Sequence, residues 1–225
     1  MKPYYERGGV TIYHGDARDI LPTLGRFDLL LTDPPYGIRA ARKDGFGAGV
    51  VVHRGGLARG ERVQRRDFGD DAWDDAPVAS DLLHACRDAA ENHLIWGGNY
   101  FPLPPSKGIL IWDKLRGDTD FADGELAWTN TDRALRIFRY RWNGFLVEKG
   151  CKDVREHPTQ KPLALMKWCL SLYPKTQSVL DPFMGSGTTL VAAKAAGIRA
   201  VGIDAEEKYC EVAARRLSQE VLGFE

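Results

Sequence analysis

Short apolar and β-branched runs alternate with segments of helical periodicity along this chain, the pattern of an α/β protein. The runs predict seven strands, at 10–14, 27–32, 93–97, 108–112, 134–142, 178–181 and 199–203. Helical spacing predicts helices over 80–92, 162–173, 188–196 and 206–221. Ser80 is placed to cap the first, Pro162 lies in the first turn of the second, and Gly197 stops the third. Runs such as Leu29-Leu30-Leu31 and Val179-Leu180 are apolar on both faces. That is expected of a mostly parallel sheet covered by helices on both sides.

At 225 residues the chain is long enough for one domain with room for insertions. Two stretches break the alternation, 39–66 and the polar segment 114–130. Lys+Arg and Asp+Glu both number 31, which excludes a polybasic packaging protein or an acidic tail. The balance is not local. Between 39 and 66 stand Arg39, Arg42, Lys43, Arg54, Arg59, Arg62, Arg65 and Arg66, against only Asp44 and Glu61, with six glycines. A basic, glycine-rich loop of this kind can order on a phosphate backbone. Arg133, Arg136, Arg139 and Arg141 form a second basic group around one strand. No apolar run approaches membrane-spanning length, and the first residues lack the apolar core of a signal peptide. Cys86, Cys151, Cys169 and Cys210 are far apart and form no metal-binding pair. The expectation is a cytoplasmic protein with reduced thiols, no membrane contact and no metal.

Three sequence features carry chemistry. Residues 27–37, FDLLLTDPPYG, deliver Asp33, Pro34, Pro35 and Tyr36 to the end of a doubly apolar strand. Two prolines fix the backbone and remove N–H donors, leaving the Pro34 carbonyl as an oriented acceptor beside the Asp33 carboxylate and the flat ring of Tyr36. Two acceptors beside an aromatic plane suit a planar molecule with an exocyclic amino group. Gly37 is expected to leave room beside Tyr36 for a purine. Residues 179–190, VLDPFMGSGTTL, form a strand, a glycine turn and a helix start, a place where open α/β sheets bind ligands. A phosphate-cradling loop would need Lys where Thr188 stands, and a dinucleotide fingerprint would need Gly or Ala at Leu190. Asp204 ends the next strand, where an acidic side chain accepts hydrogen bonds from ribose hydroxyls.

In these motifs and their order the chain resembles the S-adenosylmethionine-dependent amino-group DNA methyltransferases that methylate adenine N6 or cytosine N4. The matching blocks are HGDARDIL at 14–21, DPPY at 33–36, HPTQKP at 157–162, and DPFMGSGTT at 181–189 followed by GIDAEEKY at 202–209. WGGNYF at 96–101 and ELAW at 125–128 are further similar segments. The resemblance implies a Rossmann-like class I methyltransferase fold, circularly permuted so that the catalytic motif precedes the cofactor motif. It implies S-adenosyl-L-methionine as cofactor and base flipping from double-stranded DNA, with Asp33, Pro34, Pro35 and Tyr36 as catalytic residues. For the cofactor it implies the turn Asp181, Pro182, Phe183, Gly185, Ser186, Gly187 and Thr188 on the methionine and sugar side, and Asp204 on the ribose. Asp16 would then read the adenine, and Thr159, Gln160 and Lys161 would cradle the methionine end. The expected target is adenine N6, with cytosine N4 as the alternative and a non-enzymatic nucleic-acid-binding protein on the same fold as a remote one. A thiolate mechanism at cytosine C5 is disfavoured, because no cysteine follows a proline. The insertions 39–75 and 113–155 are candidate recognition elements within one catalytic domain spanning 1–225, and their small size makes a homodimer plausible.

Overall fold

The computed structural model describes residues 2–39, 72–115, 122–142 and 154–219. Among them are nine strands: β1 (Tyr5–Arg7), β2 (Val10–His14), β3 (Phe27–Thr32), β4 (Ala90–Trp96), β5 (Ile109–Asp113), β6 (Gly124–Thr129), β7 (Arg136–Arg139), β8 (Ser178–Asp181) and β9 (Arg199–Asp204). The helices are α1 (Ala17–Ile20), α2 (Ser80–Asp88), α3 (Leu163–Ser171), α4 (Thr188–Ala195) and α5 (Glu207–Ser218). All nine strands join one sheet in the order β1-β2-β9-β8-β3-β4-β6-β5-β7.

The alternation along the central strands explains the layering. Leu29 and Leu31 of β3 pack with Val179 of β8 and Ala200 of β9 on one face, under α3, α4 and α5. Leu30, Leu180, Val201 and Ile203 point to the other face, against α1 and α2. Leu29, Leu30 and Leu31 are fully buried, and each such side chain stabilises the fold by roughly 1.5–3 kcal/mol relative to exposure. Strands β2, β9, β8, β3 and β4 run parallel. Numbered from β8 along the permuted order, these five neighbours read 3-2-1-4-5, the doubly wound order. The order reverses between β8 and β3, and there the carboxyl ends of both strands open a crevice. Thr32 Oγ1 donates to Asp181 Oδ1 across it at 2.7 Å.

The sheet has two strands more than the seven expected. β1 is three residues long and pairs only with β2, as the first arm of a tight hairpin. β6 lies in a polar stretch with no strand pattern, yet it inserts antiparallel between β4 and β5 and buries Ala127, Trp128 and Thr129. Helix α2 stops at Asp88, short of the expected 92, because Ala90 already pairs with Phe27. Ser80 is the first helical residue rather than the cap, and Pro162 stands just before α3 with extended backbone. Gly197, at φ +69°, ends α4 as expected.

Candidate active site

A cleft of about 350 Å³ opens at the crevice between β8 and β3. Asp33, Asp181 and Asp204 reach it from the ends of three neighbouring strands, and Asp16 from the turn after β2. The glycine turn after β8 forms the floor. Gly185 and Gly187 adopt φ +50° and +74°, and a Cβ at Gly187 would lie 2.7 Å from that of Ala213. Arg216 of α5 fixes this turn, donating to the Ser186 carbonyl (2.6 Å), Ser186 Oγ (3.0 Å) and Thr188 Oγ1 (3.1 Å). Phe183 donates its N–H to Asp181 Oδ1 at 3.3 Å, and Pro182 and Phe183 line the cleft.

Asp204 accepts one backbone N–H on each carboxylate oxygen, from Gly185 and from Glu206, both at 2.9 Å. An ionised carboxylate has about four lone-pair sites, so acceptor capacity remains on both oxygens. Burial pushes its carboxyl up to about 7, against the pull of those two hydrogen bonds. Asp181 is pushed up to about 6 by burial, opposed by hydrogen bonds from Thr189 and Thr32. Asp16 caps α1, accepting the Arg18 N–H at 2.8 Å, and its half-exposed carboxylate also pairs with the Arg18 guanidinium at 3.3 Å. Five carboxylates line the cleft, counting Glu206, against two cations, Arg18 and Lys161. The cleft therefore favours a ligand of net positive charge.

The segment before α3 closes one side. Gln160 holds it to the glycine turn: its Oε1 accepts from Ser186 Oγ (2.9 Å) and the Glu156 N–H (2.8 Å). Thr159 lies against His157 Nδ1, its hydroxyl 3.2 Å away. His157 is buried between Trp73 and Tyr209, with ring centroids at 5.1 and 4.3 Å. Burial, with Arg155, Lys161 and Lys208 nearby, lowers it to about 3, so it is neutral at physiological pH.

The DPPY turn is clamped from outside its own motif. Asp74, 2% exposed, accepts the N–H groups of both Tyr36 and Gly37 at 2.9 Å. The Pro35 carbonyl accepts from the Val78 N–H at 3.0 Å. Among the described residues none donates to the Pro34 carbonyl. Tyr36 donates its hydroxyl to Asp33, and its ring stacks on Tyr100 at 4.6 Å and 9°. Gly37 does not provide the space expected of it: a Cβ there would meet Pro77 at 2.6 Å, outside the cleft. The ring of Tyr36 is accommodated by Gly97 instead.

Lys161 donates to Asp33, and its Nζ lies 3.0 Å from Glu125 on β6, which also pairs with Lys114 at 2.5 Å. Its ammonium is thus engaged with the DPPY aspartate. A second chamber of about 190 Å³ adjoins the first; Asp33, Trp73, Thr159, Gln160 and Lys161 line both. Pro34, Tyr36, Ile38, Asp74, Trp112, Lys114, Glu125, Trp142, Arg155 and Pro158 complete its wall.

Sequence reasoning misses Asp74, Gly97, Lys114, Arg216 and the role of Glu125. Of these, Gly97 and Glu125 lie in segments with a sequence signal, WGGNYF and ELAW, but neither segment points to the contact its residue makes. Of the basic candidates, Arg39 is described, with its N–H on the Asp74 carbonyl at 2.9 Å; Arg42, Lys43, Arg54, Arg59, Arg62, Arg65 and Arg66 lie outside the described residues. In the second basic group Arg133 is structural, packing on Tyr173 and donating to the Leu172 carbonyl at 3.1 Å. No described helix is long and apolar enough to cross a membrane.

Comparison with known proteins adds to this geometry. Residues 111–215 match the N6/N4 methylase family model described as DNA methylase. The type II methyltransferase M2.DpnII of Streptococcus pneumoniae is 26% identical over 258 residues, spanning 97% of this chain and 93% of that protein. In fold, the chain is similar to M1.HpyAVI solved with S-adenosylmethionine (TM-score 0.56, 21% identity, 93% of this chain and 99% of that one). It is also similar to the cytosine-N4-specific PvuII DNA methyltransferase (TM-score 0.58, 13% identity, 99% and 91%).

Proposed function

We propose that this chain, similar over residues 111–215 to the N6/N4 family of DNA methylases, uses S-adenosylmethionine to methylate the exocyclic N6 of adenine in duplex DNA, with the target base turned into the second chamber. The observation that carries this reading is the place of Asp33, on the wall shared by two adjoining chambers. One chamber is acidic and floored by the glycine turn; the other is walled by Pro34 and four aromatic residues, with charged side chains that include Lys114, Glu125 and Lys161.

The first chamber fits the cofactor. S-adenosylmethionine carries a net positive charge at neutral pH, which the excess of carboxylates there complements. The glycine turn allows close backbone approach, and Asp204 retains lone pairs for ribose hydroxyls. In this reading Asp16 takes the adenine end of the cofactor, and Thr159, Gln160 and the 181–188 turn take the methionine end; Asp16, Thr159, Gln160 and most of that turn line the first chamber. When bound, the cofactor supplies an electrophilic sulfonium methyl group.

The chain's own residues act on the acceptor. An exocyclic amino nitrogen is a poor nucleophile while its lone pair is delocalised into the ring. Donation of its two hydrogens to Asp33 and the Pro34 carbonyl favours a pyramidal nitrogen with its lone pair directed at the first chamber. Asp33, ionised, also holds the proton that the alkylated nitrogen gives up. Tyr36 and the tryptophans of the second chamber supply stacking surface for the base. The basic residues of 39–66 contact the DNA backbone in this reading.

Adenine is preferred over cytosine because Asp, at position 33, is the more usual first residue of this motif in adenine enzymes of the family resembled. Mass spectrometry of nucleosides from DNA methylated in vitro tests it. N4-methylcytosine without N6-methyladenine would overturn the base assignment and leave the chemistry at Asp33 standing.

A further inference from the structure

The four side chains Asp33, Lys161, Glu125 and Lys114 form a chain of alternating charge reaching from the DPPY loop to the end of β5. Only Asp33 has a role in the methyl transfer proposed for this site. Lys161 is 7% exposed and Lys114 12%, so neither is a solvated surface cation. A buried ammonium is costly unless its charge is matched, and two carboxylates match this one.

We propose that Lys161 is a positioning residue for Asp33, moored by Glu125 so that Asp33 meets the base ionised and in a single orientation. This rests on the reading of Asp33 as the group that receives the amino hydrogen. Tyr36 takes one Asp33 oxygen and Lys161 the other, which fixes the plane of the carboxylate and leaves lone pairs for the substrate. Lys161 does not then serve the methionine end of the cofactor, although it lines the cofactor chamber.

The electrostatics agree with the geometry. The groups facing Asp33 are Tyr36 on its own loop, Lys161 before α3, Glu125 on β6 with Lys114 beyond it, Asp181 at the end of β8, and Asp74 behind the turn. Burial, with Glu125, leaves the Asp33 carboxyl above the usual carboxylate range, and Lys161 is the strongest of the groups that pull it back down, with Tyr36 adding to it. Burial acts to lower Lys161, and Asp33 and Glu125 outweigh it and raise it. Burial acts to raise Glu125, and Lys161 with Lys114 outweighs it, holding the group at about 2. Glu125 is thus a fixed negative charge that anchors the cation.

The test compares Lys161→Met, Lys161→Arg and the double variant Lys161→Met/Glu125→Gln. Lys161→Met should lower kcat at pH 7 by about 100-fold, the cost of a misplaced reacting group, with cofactor affinity held within a few-fold. The acid limb of the single-turnover rate should move to higher pH, because Asp33 loses the charge that favours its ionised form. Lys161→Arg should return the limb toward its original position. Adding Glu125→Gln to Lys161→Met should also move it back, since it removes a negative charge that raises Asp33 and that only Lys114 then balances. Carbon-detected NMR titration of the Asp33 carboxyl in the free protein reads the same shifts without DNA or turnover. It therefore separates failure of this inference from failure of the methylation reading. Loss of cofactor binding in Lys161→Met, with the Asp33 titration unmoved, would overturn the proposal and return Lys161 to the cofactor.

Discussion

Gly97 sits against the ring of Tyr36 with φ +67°, so that any Cβ at Gly97 would overlap the phenol. The two residues are brought together because β4, which ends at Trp96, is the parallel neighbour of β3. Gly97→Ala should displace Tyr36, and with it the hydroxyl that holds Asp33. The expected outcome is a fall in methyl transfer of about 100-fold with cofactor affinity unchanged, measured by single-turnover kinetics and calorimetry. Retained activity would show that the position of Tyr36 is not critical.

Asp33 and Asp204 should separate chemistry from binding. Asp33→Ala is expected to abolish methyl transfer while leaving cofactor affinity within a few-fold. Asp204→Ala is expected to weaken the cofactor, since each hydrogen bond to a charged acceptor contributes about 1.5–3 kcal/mol. Calorimetry giving the reverse pattern would sink the assignment of the two chambers.

Asp74 holds two backbone N–H groups of the DPPY turn from a buried position. Asp74→Ala leaves both part-buried donors without this acceptor, at up to about 1–3 kcal/mol each. A lower midpoint in urea unfolding, together with reduced kcat, is expected. An unchanged midpoint would mean that the turn is held by its prolines and the Val78 hydrogen bond without Asp74.

Cofactor affinity should depend on pH through Asp204. Its carboxyl titrates near 7 in the free protein because burial disfavours the charge. A cationic ligand and ribose hydroxyls both favour the ionised form, so affinity should rise as pH climbs through about 7 and then level. Asp204→Asn should flatten this dependence, and a flat wild-type profile would count against Asp204 as a ligand.

The basic stretch can be tested by substitution alone. Replacing Arg59, Arg62, Arg65 and Arg66 by Gln should weaken DNA binding and reduce its salt dependence. The slope of log K against log salt should fall by about 0.9 for each phosphate that the protein no longer neutralises. An unaltered slope would move backbone recognition to another surface.

Local pattern determined much of this protein. Val10–His14, Phe27–Thr32 and Ser178–Asp181 form strands where their apolar runs predict them, and the glycine turn follows β8 as its sequence requires. Such features depend on backbone conformation and on which face a side chain takes, and both leave a period in the sequence. The strand order was legible only through the resemblance, since parallel neighbours such as β2 and β9 lie at opposite ends of the chain.

Tertiary structure decided the rest. β6 is a strand because β4 and β5 pair with it on either side, despite a polar sequence with little periodicity. Asp74, Gly97 and Glu125 are single residues whose importance lies in a contact with a distant segment, and such a contact has no period. Gly37 and Gly97 are alike as glycines; only packing shows that Gly97 accommodates Tyr36 while Gly37 abuts Pro77. Lys161 meets Asp33 across 128 residues of sequence, and only the folding of α3 and β8 beside β3 places its ammonium there. A lysine's reach is the same in every fold, but the charge it finds at the end of that reach is set by the neighbours the fold supplies.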